Sequence, residues 1–152
     1  MDITTELMTL AKLLLAVLLG GLIGFEREMA ERPAGLRTHM LVAAAATLLV
    51  VLARRLVFSY GDYEFLRHDP VRVIEAIIVG ISFLGAGTIF RSRDGDAPVQ
   101  GLTTAASVLF TAVLGIGVAL EAYVLVIGAA LLVLFINFGL RRLQGWLAGR
   151  AA

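Results

Sequence analysis

Hydrophobic residues fall into five blocks along the chain, separated by short charged or polar stretches. The first runs from about Leu7 to Phe25 and holds one charge, Lys12. The second runs from Met40 to Phe58, but Arg54 and Arg55 cut it, leaving an uncharged part from Met40 to Ala53. The third, Val71 to Phe90, carries Arg72 and Glu75 in its first turns. The fourth and fifth run from Leu102 to Leu120 and from Tyr123 to Leu140. A run of about 18 or more apolar residues is long enough to cross a bilayer as a helix. The second block reaches that length if both arginines snorkel their heads to the interface, and otherwise leaves four spans.

Glu121 is the one charge between Leu102 and Leu140. At about 1.5 Å per residue, a single helix there would measure roughly 58 Å, against a hydrocarbon core of about 30 Å. Two spans with a tight turn near Glu121 fit better. The pattern predicts an all-α fold, a polytopic transmembrane helical bundle of about five spans. Residues 1–140 form the membrane domain and 141–152 a short basic cytoplasmic tail. Two irregular stretches interrupt it: Glu26 to Thr38, with Pro33 and Gly35, and Ser59 to Pro70.

Composition sharpens this picture. Charged residues make up 16% of the chain, against about 25% in soluble domains, and mean hydropathy is +0.91. A soluble domain of this size would lack the polar residues to cover its surface. The net charge of +1 gives no basis for nucleic-acid binding. With no cysteine, disulfides and thiolate metal sites are excluded. The acidic start, Met1 to Glu6, lacks the basic region of a secretory signal, so the first block is expected to stay in the mature protein.

Arginines set the expected orientation. With five spans, Arg27, Arg32, Arg37, Arg91, Arg93, Arg141, Arg142 and Arg150 share one side; Arg54, Arg55, Arg67 and Arg72 lie on the other. The positive-inside rule puts the N-terminus outside and the C-terminus in the cytoplasm.

The blocks also carry faces. Lys12, Ala16, Gly20 and Gly24 recur every four residues, and Gly20 and Gly24 form a GxxxG that lets helix backbones approach. Lys12 on this face snorkels outward or meets a polar interior. In block three, Glu75 is an ionisable residue within a span, which marks either a functional site or, paired with Arg72, an anchor. The run Gly80 to Thr88, with Gly85 and Gly87, is a close-packing surface or a break in the helix. Thr104, Ser107, Thr111 and Gly115 form a polar stripe in block four, suited to helix packing or to lining a water-filled path. Asn137 is expected to bond between helices. His39 and His68 fall in different loops, and no HExxH or GxSxG occurs, so no enzyme activity is expected. No cofactor is expected. A magnesium site needs only one or two carboxylates, so metal binding leaves no mark here that the sequence can reveal.

Four segments in order resemble the MgtC/SapB family: Gly20 to Glu28; Arg32 to Val42; Asp69 to Arg72 continuing at Phe83 to Ile89; and Gly101 to Ser107. The resemblance implies a bacterial inner-membrane protein of about five spans. Family members are associated with virulence, growth in low magnesium and stress response. They are proposed to act as regulators through contacts with other membrane proteins such as the ATP synthase. Three departures stand out. MgtC-type members continue into a soluble C-terminal domain, whereas this chain ends at Ala152. It also has Glu75-Ala76 where many members have a small residue and Gln, and Leu109 where Trp is common. These features suggest a short, SapB-like form.

The family segments and the expected topology bring Glu26, Arg27, Arg37, Thr38, Arg91, Thr103 and Thr104 together as a polar cytoplasmic vestibule for a partner or an ion. The plainer reading is a network that locks helix ends. His39, Asp69, Arg72 and Glu75 complete the candidate functional residues, and Gly20, Gly24, Gly80, Gly85 and Gly87 the candidate packing glycines. The function expected is regulation linked to magnesium or acid stress. The alternative is a small magnesium or other ion transporter, which needs a homo-oligomer because five spans leave little room for a path within one chain.

Overall fold

A computed structural model describes residues 2–60, 70–90 and 99–139. Five helices follow the five blocks: α1 (Ile3–Met29), α2 (Leu36–Tyr60), α3 (Pro70–Ala86), α4 (Leu102–Ala119) and α5 (Tyr123–Leu134), with a π-helical turn at Phe135–Gly139. The fold is an all-α membrane bundle. By length and composition α1, α2 to Val57, and α4 each suffice to cross a membrane, while α5 with its π turn is shorter. At 17 residues α3 also sits at the lower limit for a span. Helix α2 runs unbroken through Arg54 and Arg55, so by length and composition the second block is long enough for a full span.

The chain shuttles between two polar ends. Lys12 and Arg27 mark them on α1, about 22 Å apart by helical rise. At the first end, Lys12 Nζ donates to Glu121 Oε1 at 2.7 Å, Arg54 lies 4.0 Å from the same oxygen, and Arg55 donates to Thr9. Lys12 thus neither snorkels alone nor lines an interior; it ties α1 to the α4–α5 turn. Glu121 closes that turn with φ 65°, and the Ala122 N–H bonds the Gly117 carbonyl.

Two apolar clusters fill the bundle. Ala16, Leu19 and Ile23 of α1 meet Ala43, Leu114, Val118, Val126 and Ala130. Val42, Ala46, Ile77, Val108, Ala112 and Ile116 join α2, α3 and α4. Small residues dominate at the crossings, as expected where close backbone approach rather than hydrophobic exclusion drives association.

Local chemistry moves several boundaries. The stretch between the first two helices is only 30–35; Glu26 belongs to α1, and Arg37, Thr38 and His39 to α2. Glu28 accepts the Leu36 N–H at 2.7 Å and so caps α2 from eight residues upstream. Helix α3 stops at Ala86, short of Phe90, because Thr88 N–H and Oγ1 both turn back to the Gly85 carbonyl. Phe90 then makes an antiparallel bridge with Gln100. Helix α5 stops at Leu134, short of Leu140, where the π turn begins. Asp69, His68, Arg91, Arg93 and the tail 141–152 lie outside the described residues.

Candidate functional site

The second polar end gathers the C-terminus of α1 and the N-termini of α2 and α4. Its arrangement starts from glycine. A Cβ on Gly20 would lie 2.5 Å from the His39 carbonyl oxygen, and one on Gly24 would lie 2.8 Å from the Leu36 Cα. The two glycines therefore let the α2 backbone settle directly on α1, against rigid main chain. Gly85 similarly admits Ala105 of α4, at 3.4 Å. Gly87 touches only carbonyls of its own turn, and Gly80 has nothing within 4 Å. As a packing residue within this chain, Gly80 is thus a correction to the sequence reading: it faces outward.

That close approach buries His39 completely. Its Nδ1 lies 2.8 Å from the Gly35 carbonyl and its Nε2 3.2 Å from Ser107 Oγ. A carbonyl only accepts, so Nδ1 carries the proton. Ser107 lies 2.8 Å from the Thr104 carbonyl and has one hydroxyl proton for that oxygen and for Nε2 of the neutral ring. His39 is therefore not a loop residue; it staples α2 to α4. One turn on, Thr111 donates to the Ser107 carbonyl at 2.8 Å. Thr47 shares its proton between the carbonyls of Ala43 and Gly115, at 2.9 and 2.8 Å. The hydroxyl stripe of α4 is buried against α2, and the Ser107 and Thr111 hydroxyls are bonded to carbonyls of their own helix.

Arg27 is the buried cation of this layer. Its Nε and Nη2 donate to the two carboxylate oxygens of Glu26 at 2.6 and 2.7 Å, a bidentate pair with side chains only 4% and 12% exposed. Such forked geometry is among the stronger polar contacts.

Among the described residues, those expected to form an open vestibule divide between the interior and the surface. Arg27 and Thr104 are buried, while Arg37, Thr38 and Thr103 are exposed. A groove of about 700 Å³ beside this end is lined by Leu22, Phe25, Met29, Leu134, Phe135 and Phe138, and contains only Glu26 from that set. Arg72 and Glu75 are both exposed on α3, and the anchoring pair between them does not form. Asn137 is buried, but its Nδ2 finds no partner, so it is not the interhelical bond the sequence suggested. Among the described residues, no three His, Asp or Glu side chains gather as a metal cluster. Glu26 and Glu28 are instead held by Arg27 and the Leu36 N–H.

Sequence reasoning missed Thr47, Glu28 and the pairing of His39 with Ser107. The Thr47 signal was present, the one hydroxyl in the uncharged stretch from Met40 to Ala53, but its partner is a backbone carbonyl 68 residues away.

The geometry has known counterparts in sequence. The model of the MgtC family matches residues 13–146. Protein SrpB of Synechococcus elongatus is 36% identical over 144 residues, covering 90% of this chain and 78% of that protein. Protein SapB of Bacillus subtilis is 36% identical over 107 residues, covering 70% of this chain and 45% of that protein. The putative magnesium transporter YhiD of Escherichia coli K12 is 33% identical over 128 residues, covering 82% of this chain and 57% of that protein. The chain spans about half the length of SapB and YhiD. No solved structure matches it significantly.

Proposed function

This chain belongs to the MgtC family, and from that premise we propose that it is a non-enzymatic regulator in the bacterial inner membrane. It serves magnesium homeostasis or the response to low-magnesium and acid stress. It acts by contact with other membrane proteins, of which the ATP synthase is one candidate. The Arg27 end faces the cytoplasm, as the arginine count of the connecting loops favours.

One observation carries this reading: His39, Thr47, Ser107 and Thr111, buried between α2 and α4, are bound within the bundle. The stripe of Thr104, Ser107 and Thr111 would be the wall of any path through the chain, and it is closed by α2. A conducting path keeps polar groups facing water instead. What remains for function is the outer surface, where Arg37, Thr38 and Thr103 are exposed at the Arg27 end.

The second reading is an oligomeric magnesium or other ion transporter. The name of YhiD favours it, as does Glu75, a carboxylate on the outward face of α3. A path would then run between copies. Purified protein in liposomes loaded with a magnesium-sensitive dye separates the two. The regulator reading expects no protein-dependent influx, together with co-purification of a defined membrane complex. Influx that Glu75→Gln abolishes would replace it with the transporter.

A further inference from the structure

The outward face of α3 differs from those of α1 and α5. On α1 the exposed positions include Leu14, Leu18, Leu22 and Phe25, and on α5 Val124, Leu125, Leu131 and Leu132. Those faces are plain hydrocarbon and suit lipid. On α3, Ile74, Ile77, Ile81 and Gly85 turn inward to α2 and α4. The opposite side presents Arg72, Ala76, Val79, Phe83 and Ala86, all exposed. Their spacing alternates four and three residues, the seam by which one helix packs along another.

Depth makes this face costly to leave in lipid. Gly85 lies beside Ala105 of α4. By helical rise Ala105 is about 24 Å below the Glu121 turn, and Glu75 about 15 Å above Gly85. Glu75 therefore sits roughly 9 Å inside the belt marked by Lys12 and Glu121. A charge held within the apolar slab is costly to leave without a partner. Arg72, a turn closer to the belt, does not neutralise it within the chain.

We propose that α3 is the interface for a second copy of this chain, packed parallel about a two-fold axis along the membrane normal. The charges favour a copy over a different helix. A two-fold axis sets Arg72 of each copy a turn above Glu75 of the other, so one pair of residues supplies two reciprocal ion pairs. Ala76 and Gly80 form a small-xxx-small step beside the seam. Gly80 weakens the helix relative to Ala, yet among the described residues it makes room for nothing in its own chain. In the dimer it makes room for the partner backbone. This interface stands whether the protein regulates or transports.

The chain contains no cysteine, so single cysteines report directly. They are placed at Ala76, Val79 and Phe83, and as controls at Leu18 and Val124, and oxidised in native membranes. Disulfide-linked dimers are expected at the three seam positions and not at the controls. With cysteine at Val79, Arg72→Glu or Glu75→Arg should lower the linked fraction several-fold, and the double swap should restore it. Monomer recovered at unchanged membrane level shows that a variant folds. Equal linking at Leu18 and Val124, no linking at the seam, linking only to a different protein, or no rescue by the double swap would each overturn the proposal.

Discussion

The two polar ends of the bundle use charge in opposite ways. At the Lys12 end, the ion pair to Glu121 is half in water, with Glu121 54% exposed. At the Arg27 end, the Glu26–Arg27 fork, His39 and Ser107 are enclosed by three helices. An exposed pair gains little because water already solvates both partners. A buried one is expensive to break, because removal of one partner strands the other. The bundle is therefore locked at one end and merely fastened at the other, and five substitutions grade the difference.

The largest effect falls on the glycines that make the locked end close enough to seal. Gly24→Val drives a side chain into the α2 backbone at Leu36, and folded protein in the membrane should be lost. Gly80→Ala, where space is open, should leave monomer levels intact. Next comes Arg27→Ala, which leaves Glu26 with an unpaired buried carboxylate. Breaking such a pair costs about 3–5 kcal/mol, read by unfolding of the purified protein in detergent. His39→Ala removes the staple between α2 and α4 and leaves the Gly35 carbonyl with only the backbone N–H of residue 39. About 1–3 kcal/mol should be lost in the same assay. Smallest is Lys12→Ala, a shift near the limit of measurement.

Acid sharpens the same contrast. The Lys12 ammonium, by its hydrogen bond, holds the Glu121 carboxyl below its ordinary value. A depressed carboxyl stabilises the fold above the usual carboxylate range, and that contribution disappears as pH falls through it. The wild type should therefore lose its small fastening on acidification, while Lys12→Ala shows a flatter pH profile. Equal slopes in the two proteins would remove the fastening from the account.

The sequence made the five helices legible because length and hydropathy alone decide what crosses a bilayer. It also marked the turn at Glu121, since no helix of that length fits the slab. The ends of helices were less legible. Glu28 begins α2 from eight residues away, and a Gly–Thr hydrogen bond stops α3; neither is a pattern of polarity. The π turn at Phe135–Gly139 follows an unbroken apolar run with no visible signal. At the candidate site, Gly20 and Gly24 stood out by spacing. The burial of His39 did not, because it depends on how closely two other helices approach it.

The hydroxyl stripe of α4 is sealed from water, and one substitution tests this directly. Ser107→Cys places a near-isosteric thiol beside His39 in a chain with no other cysteine. A small, charged, membrane-impermeant thiol reagent is then applied from each side of the membrane. A sealed stripe allows no modification until the protein is unfolded, with Thr103→Cys labelled readily from one side. Rapid labelling of residue 107 in folded protein would reveal a water-filled path along α4 and contradict it.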